Sequence, residues 1–231
     1  MTKTENDAVT AAVVSRMKAD WNARARENAR HFVQNSTAQW EDREFFRSGE
    51  ISVANEVLPD MYRICGGSRS PRDLRVLEIG CGVGRMTRML ARVFGQVTGV
   101  DVSEEMIEQA RRALVDSPNV ELVTGNGLTL DELPSNAFDF AFSFIVFQHV
   151  PSLDVIRSYC KEVFRVLKPG SLFKFQVQGH TSLKNEPDTW LGVAVSQDDT
   201  VDLARDSGFV IERAEGARTQ YFWLWFGKPW G

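Results

Sequence analysis

"VLEIGCGVGRMT", residues 76–87, places glycines at positions 80, 82 and 84 directly after a run of Val, Leu and Ile. The apolar run predicts a buried strand, and the glycines predict a tight turn into a following helix. Backbone N–H groups at the start of such a helix can approach an anion or a ribose, because no side chain stands in the way. The stretch therefore predicts a nucleotide-like ligand beside this strand.

The chain after residue 71 alternates strand and helix patterns. Short β-branched or aromatic runs bounded by turn residues predict five strands, at LRVLEIG, QVTGVDVS, VELVTG, FDFAFSFI and SLFKFQVQG. Helical patterns lie between them at Arg85–Phe94, Glu104–Val115 and Leu153–Leu167, and Ser103 precedes the second as its N-cap. This alternation predicts a parallel sheet that binds ligands at the carboxyl ends of its strands.

The C-terminal part departs from that alternation. A helical pattern ends at Gly208, and two further strands follow with only a short turn near Gly216 between them. So short a connection requires an antiparallel hairpin. Because Tyr221–Phe226 is apolar on both faces, we expect the last strand to be inserted or covered rather than left at an open edge.

The first 70 residues carry helical patterns only. Apolar residues recur at near-helical spacing over residues 8–34, and a second helical stretch around Val53–Ile64 is interrupted at Pro59. We therefore predict two domains, a helical cap or lid of residues 1–70 and a ligand-binding α/β domain of residues 71–231.

Composition narrows the classes of partner. The 231 residues are 43% hydrophobic and 25% charged with a net charge of -4, which is ordinary for a globular protein and argues against binding to nucleic acid. No apolar run reaches the roughly 18 residues of a membrane span. The three cysteines lack CxxC spacing, and no His, Asp or Glu cluster has metal-ligand spacing, so we expect neither a disulfide framework nor a metal. A cytoplasmic location without membrane binding is the expectation.

The glycine spacing and an aspartate narrow the ligand. The spacing is GxGxG, with Arg85 following, whereas dinucleotide sites use GxGxxG beneath a pyrophosphate. Asp101 ends the second strand, where a carboxylate can accept both ribose hydroxyls. A purely structural turn is the alternative for the glycines alone, but the order strand, glycine loop, helix, strand and acid favours a ligand with one nucleoside and no pyrophosphate.

At these residues the chain resembles the class I S-adenosylmethionine-dependent methyltransferases. The similar segments are VLEIGCGVG, GVDVS, FDFAFSFIVFQHV and VLKPGSLF, and the resemblance covers about residues 71–226. It implies an α/β Rossmann-like fold, with a seven-stranded, mostly parallel sheet that ends in an antiparallel hairpin and is flanked by helices. It also implies S-adenosylmethionine as the cofactor.

The resemblance implies roles for individual residues. Glu78 and the backbone of Gly80, Cys81 and Gly82 would surround the amino-acid end of the cofactor, and Asp101 would hold the ribose. Cys81 is interpreted as a packing residue rather than a reactive thiol. The remaining expected cofactor contacts are Val102 against the adenine, then Asn126, Gly127, Ser143, Phe144 and Gln148.

One of these positions departs from the family. The family often has an acid near the adenine amino group after the third strand, and this chain has Asn126. Its amide oxygen can still accept a hydrogen bond.

Methyl transfer from a sulfonium requires mainly alignment of a nucleophile with the sulfur. A base is needed only if the acceptor arrives protonated. His149, in FQHVP after the fourth strand, is the candidate for that base. The alternative is that His149 caps or packs beneath the following helix.

The expected acceptor is a small molecule, because neither a recognition domain nor a basic groove is visible. Gln178 shares a strand face with Gln176, and such buried amides either bind substrate or bond to nearby backbone. Residues 179–196 form a long insertion of the kind that closes over sites. Further acceptor contacts are predicted for His180, for Trp190 in the insertion and for Trp21 on the first helix, although Trp21 also fits a core-packing role.

Two other functions stay open. A domain that binds S-adenosylmethionine or S-adenosylhomocysteine without turnover, as a regulator, would show the same cofactor motifs. A nicotinamide-dependent oxidoreductase would share the fold, but the missing third spaced glycine counts against it. Measuring binding of each cofactor, followed by product formation, separates the three.

Overall fold

The computed structural model describes residues 3–180 and 188–230. Its seven strands confirm the seven that the sequence predicts, five in the alternating region and two in the hairpin. They are β1 (Arg75–Ile79), β2 (Gln96–Asp101), β3 (Val120–Thr124), β4 (Phe138–Ser143), β5 (Leu167–Val177), β6 (Val210–Glu215) and β7 (Phe222–Gly227).

The helices are α1 (Lys3–Val33), α2 (Asp42–Glu56), α3 (Met61–Ile64), α4 (Thr87–Val93), α5 (Glu104–Ala113), α6 (Leu153–Val166) and α7 (Gln197–Ser207). Three short 3-10 turns lie at Leu58–Asp60, Pro71–Asp73 and Phe147–His149. None of the helices described is long and apolar enough to cross a bilayer.

The strands form one sheet in the order β3-β2-β1-β4-β5-β7-β6. β1 pairs in parallel with β2, and β2 with β3. β7 pairs antiparallel with both β5 and β6. The predicted insertion of the last strand is therefore confirmed, because β7 lies between its two neighbours rather than at an edge.

By its internal contacts the chain divides into two compact units. The first consists of Met1–Lys18, Asn126–Ala137 and Ala141–Gly231. The second consists of Ala19–Gly125 and Phe138–Phe140. The boundary at residue 70 between a cap and an α/β domain stays a prediction.

In the first unit, aromatic side chains explain why β7 is apolar on both faces. On one face Phe226 meets Phe175 with ring centroids 5.0 Å apart, and Phe175 stacks on Phe173 at 4.2 Å. On the other face Trp225 lies 4.6 Å from the Lys174 ammonium. Both faces of the strand are thus packed, and the left-handed Gly208 ends α7 as predicted.

In the second unit, parallel strands bury Val76, Leu77 and Val97 almost completely. The predicted N-cap is confirmed, since the Ser103 side chain accepts a hydrogen bond from Met106 N. α2 begins at Asp42, well before the helix predicted around Val53. Its first turn holds acidic residues that favour a helix N-terminus.

α1 bends once. At Asn28 the backbone leaves the helical region (φ -164°, ψ 80°), and the Asn28 side chain bonds both Ala38 O (2.8 Å) and His31 N (3.3 Å). These bonds hold the C-terminal end of α1 and the following loop in one arrangement.

Candidate functional site

The glycine loop after β1 folds back on the end of β2. The N–H groups of Gly80 and Cys81 both donate to Val100 O, at 2.7 and 3.1 Å. Gly82 has a positive φ of 54°, and a Cβ there would lie 3.0 Å from a methyl group of Val33. Any larger residue would therefore strain the backbone and press on the end of α1. Glycine is required at position 82 for conformational reasons, as the sequence of the loop predicts.

Asp101 ends β2 with its carboxylate held by the backbone. Oδ2 accepts from Gly82 N and Oδ1 accepts from Ser103 N, both at 2.9 Å. Burial raises the pKa of Asp101, and these backbone hydrogen bonds oppose that rise. Each carboxylate oxygen keeps a second lone pair that can accept a hydroxyl proton. The geometry suits a pair of vicinal ribose hydroxyls.

Glu78 is a buried acid at the end of β1. Its Oε2 accepts a 2.6 Å hydrogen bond from the Thr87 hydroxyl at the start of α4. Burial raises its pKa to about 7, although the Thr87 bond and the charge of Arg85 act in the opposite direction. The second unit thus holds a carboxyl group beside the glycine loop whose charge is sensitive to what binds near it.

Arg85 is a buried cation on the same loop, and the sequence predicts no role for it. One terminal nitrogen, Nη1, donates to the hydroxyls of Ser48 (3.3 Å) and Ser52 (3.0 Å) on α2. Its Nε is buried and has no hydrogen-bond partner among the residues described. Burial lowers the pKa of Arg85 to about 10, with the charge of Glu78 opposing this. The signal in the sequence that could have identified Arg85 is its position as a charged residue directly after the glycine loop.

These groups fit the predicted cofactor. S-adenosylmethionine carries an ammonium, a carboxylate and a ribose diol. The second unit supplies a buried acid in Glu78, a buried guanidinium with an unsatisfied N–H in Arg85, and the doubly anchored carboxylate of Asp101. An unsatisfied buried donor is costly, and a bound anion would satisfy it.

Other predicted residues of this unit have structural contacts. Cys81 is buried with its side chain at Gly99, and burial raises its thiol pKa well above the usual value, in line with a packing role. Trp21 packs against a core cluster that includes Ala25, Phe45 and Met106, which supports the core-packing alternative. Val102 is partly exposed after β2.

Asn126 and Gly127 belong to the first unit and form a tight turn. The Asn126 amide oxygen accepts from the backbone N–H of Leu128 (2.8 Å) and Thr129 (2.7 Å), and Gly127 has a φ of 83°. The oxygen predicted to contact the adenine is therefore already bonded twice within its own turn. Its contact with the cofactor stays a prediction.

The segment after β4 holds strain. Ser143 is buried, and Phe144 stacks on Trp223 with centroids 5.2 Å apart. Ile145 has a φ of 57°, a conformation that a β-branched side chain resists at a cost on the order of 1–3 kcal/mol. Such strain persists only where surrounding contacts over-determine the backbone.

His149 has neighbours at both ring nitrogens. Nδ1 bonds Trp190 O, and Nε2 lies 3.2 Å from the side-chain nitrogen of Gln148. The Trp190 ring lies 5.3 Å from the imidazole, centroid to centroid. The first unit thus brings together three predicted site residues. These contacts are with Gln148 and Trp190 rather than with α6, so whether His149 is a base or packs beneath the following helix stays open.

Gln178 and His180 lie at the end of β5. Gln178 is buried, and its Oε1 accepts from His180 N at 3.1 Å, while the His180 side chain is exposed. Part of the predicted closing insertion, residues 181–187, lies outside the described residues.

Residues 77–175 match a family model described as "Methyltransferase domain". The chain is 34% identical over 126 residues to 24-methylenesterol C-methyltransferase 3 of Arabidopsis thaliana, covering 52% of this chain and 32% of that protein. It is 38% identical over 104 residues to demethylmenaquinone methyltransferase of Symbiobacterium thermophilum, covering 42% of this chain and 40% of that protein. The chain thus spans less than half the length of these curated relatives.

Solved structures share the fold over most of the chain. Magnesium protoporphyrin IX methyltransferase of Synechocystis with bound SAM superposes with a TM-score of 0.65 at 17% identity, covering 94% of this chain and 97% of that one. A SAM-dependent methyltransferase of Methanosarcina mazei gives a TM-score of 0.61 at 23% identity, covering 76% and 100%. At these identities the likeness concerns the fold, and it confirms the predicted Rossmann-like architecture.

Proposed function

We propose that this chain, whose residues 77–175 match a methyltransferase domain and whose fold is that of class I S-adenosylmethionine-dependent methyltransferases, transfers a methyl group from S-adenosylmethionine to a small-molecule acceptor. The relatives named for sterol, menaquinone and phytylhydroquinone methylation support a small acceptor.

The second unit holds the cofactor's polar groups in this proposal. The carboxylate of Asp101 accepts the ribose hydroxyls, Glu78 accepts from the ammonium, and the unsatisfied Nε of Arg85 donates to the carboxylate. The backbone of Gly80, Cys81 and Gly82 leaves room for this end of the ligand, and Val102 contacts the adenine. The remaining proposed contacts are Asn126, Gly127, Ser143, Phe144 and Gln148.

When bound, S-adenosylmethionine supplies a methyl group on a positively charged sulfur, which is already a good electrophile. The chain therefore needs to orient the acceptor and exclude water. Holding reactants in the right geometry can supply on the order of 7–11 kcal/mol of the barrier. The proposed acceptor contacts are Trp21, Gln178, His180 and Trp190.

We keep His149 as the proposed base for acceptors that arrive protonated. With its Nδ1 proton on Trp190 O, the basic lone pair is on Nε2, which faces Gln148. Taking up an acceptor proton requires that the Gln148 amide first leave this nitrogen. Acceptors that arrive already nucleophilic need no base. With such acceptors, His149 serves only to hold the loop of residues 188–193 through its bond to Trp190 O.

The observation that carries the proposal is the carboxylate of Asp101, held by Gly82 N and Ser103 N with lone pairs available to a diol. Titration calorimetry with S-adenosylmethionine, S-adenosylhomocysteine and NAD tests the cofactor. Mass-spectrometric detection of methylated product then tests turnover, with a sterol and a demethylated quinone as first acceptors. Binding of NAD alone would contradict the proposal, and binding of both adenosyl compounds without product over a broad acceptor panel would favour the regulator.

A further inference from the structure

The side-chain amide of Gln176, buried on β5, has a fixed orientation. Its oxygen accepts from Ile145 N at 3.2 Å, and its nitrogen donates to Val177 O (2.7 Å) and Gln220 O (2.8 Å). A backbone N–H can only donate and a carbonyl can only accept, so turning the amide over would spoil all of these bonds at once. The backbone therefore decides which end of Gln176 is the donor.

This orientation passes to Gln148 and then to His149. The Gln176 nitrogen, whose two N–H groups are shared among three acceptors, also lies 3.0 Å from Gln148 Oε1. A Gln148 nitrogen in that place would set donor against donor, so the Gln148 nitrogen must point the other way. That nitrogen lies 3.2 Å from His149 Nε2. An amide nitrogen is a donor only, hence Nε2 must present its lone pair and carry no proton.

The other ring nitrogen of His149 has the opposite requirement. Nδ1 faces the carbonyl oxygen of Trp190, which only accepts, so Nδ1 carries the proton. Residues 188–193, the Trp190 loop, also pack closely against the backbone of Gln148, because a Cβ on Gly192 would come within 2.3 Å of Gln148 O. Val193 N adds a 2.9 Å bond to Val150 O.

We propose that Gln176 is a positioning residue that, through Gln148, holds His149 in its neutral form with the proton on Nδ1, and so ties the Trp190 loop to β5. The same amide bonds the N–H of Ile145, so it also holds the strained turn after β4. The tautomer rests on the hydrogen-bond chain alone, and the consequence for methyl transfer rests on the proposed function.

The first test is nitrogen-15 NMR of the full chain at pH 8, where an unpaired imidazole is neutral. The chain has only three histidines, and the spectrum of His149→Gln assigns the signal. We expect a protonated Nδ1 and an unprotonated Nε2. A protonated Nε2 in the wild type would overturn the proposal.

Gln148→Glu is the decisive variant. A carboxylate has the same shape and still accepts from Gln176, but it presents an acceptor to Nε2 instead of a donor. We expect Nε2 to carry a proton in this variant at a pH where the wild-type Nε2 carries none, because a carboxylate beside it can only accept. Gln178→Glu makes the same chemical change two residues from Gln176 and should leave the His149 signals unchanged. An unprotonated Nε2 in Gln148→Glu would overturn the proposal.

Gln176→Leu tests the origin of the orientation. Without its anchor the Gln148 amide can turn over, so the Nε2 signal should move toward the protonated position. If folded Gln176→Leu keeps the wild-type signal, Gln176 is not the source. Should Gln176→Leu fail to fold, Gln148→Glu still decides the tautomer.

Activity gives a separate reading. If the chain transfers methyl groups, we expect Gln148→Glu to lower kcat by at least about tenfold at saturating S-adenosylmethionine. An unchanged kcat with the altered Nε2 signal would refute the role in transfer. A wild type without any transferase activity would refute the proposed function instead, while the NMR result stands by itself.

Discussion

Replacing Asp101 with alanine tests the cofactor site directly. The carboxylate bonds Gly82 N and Ser103 N, each at 2.9 Å, and in the proposed complex it also accepts two ribose hydroxyls. Hydrogen bonds to a charged group contribute about 1.5–3 kcal/mol each, so losing two costs at least about 3 kcal/mol. Since 1.4 kcal/mol is a factor of ten, we expect the Kd to rise roughly 100-fold.

The assay is titration calorimetry with S-adenosylmethionine and S-adenosylhomocysteine at neutral pH. Both ligands carry the same ribose, so both affinities should fall by the same factor. Asp116→Ala, at an exposed aspartate after α5, is the matched control and should bind like the wild type.

Loss of binding counts only in a folded variant, because Asp101→Ala also removes the acceptor for two backbone N–H groups. Thermal unfolding without ligand therefore accompanies each titration, and Asp101→Asn retains one acceptor oxygen if Asp101→Ala unfolds. A folded Asp101→Ala that binds both ligands with wild-type affinity would refute the reasoning.

Three further changes test the loop and its surroundings by urea unfolding. Burial raises the pKa of Glu78 from 4.5 to about 7, so between these pH values the folded chain binds more protons than the unfolded chain. The stability of the wild type should therefore fall by about 3 kcal/mol as pH rises through this window. Glu78→Gln should lack this fall, and identical pH profiles for the two proteins would contradict the raised pKa. Gly84 has a φ of 84°, and a Cβ there would lie 2.7 Å from Leu114 Cδ1. Gly84→Ala should therefore lower the free energy of unfolding by on the order of 1–3 kcal/mol. An unchanged urea midpoint would show that the loop tolerates a side chain. Ser103→Ala loses both the cap on Met106 N and the hydroxyl that donates to Asn22 Oδ1, so it should cost at least about 1 kcal/mol of stability, and an unchanged midpoint would contradict the cap.

The strands were predictable because their signals are local. Each apolar run and its bounding turn residues lie within a few positions, and the short turn near Gly216 required the antiparallel hairpin that β6 and β7 form. The start of α2 was missed because Phe45 and Phe46 are adjacent, which obscures helical periodicity, although both are buried. Helical periodicity is detected when apolar residues recur three or four positions apart on one face of a helix, and two consecutive aromatic residues do not give that spacing.

The candidate site likewise contains residues that the sequence could predict and residues that it could not. Asp101 could be identified because the acid ends a strand two residues before its own helix cap. The setting of Arg85 could not, since its hydroxyl partners Ser48 and Ser52 are 37 and 33 residues away. Alternation along β5 placed Gln176 and Gln178 on one face, but only the folded chain shows that Gln176 bonds to neighbouring groups.

That distinction matters for the chemistry. A general base needs a nitrogen that an acceptor proton can reach, yet Nε2 of His149 faces the Gln148 amide, whose orientation is fixed at Gln176 by backbone groups. A chain of such bonds holds geometry well and exchanges protons poorly. Transfer from a sulfonium requires chiefly geometry, because the thioether leaves as a neutral group and needs no proton. The arrangement around His149 therefore suits a methyltransferase that works by holding its acceptor in line, and proton removal would be confined to acceptors that displace Gln148.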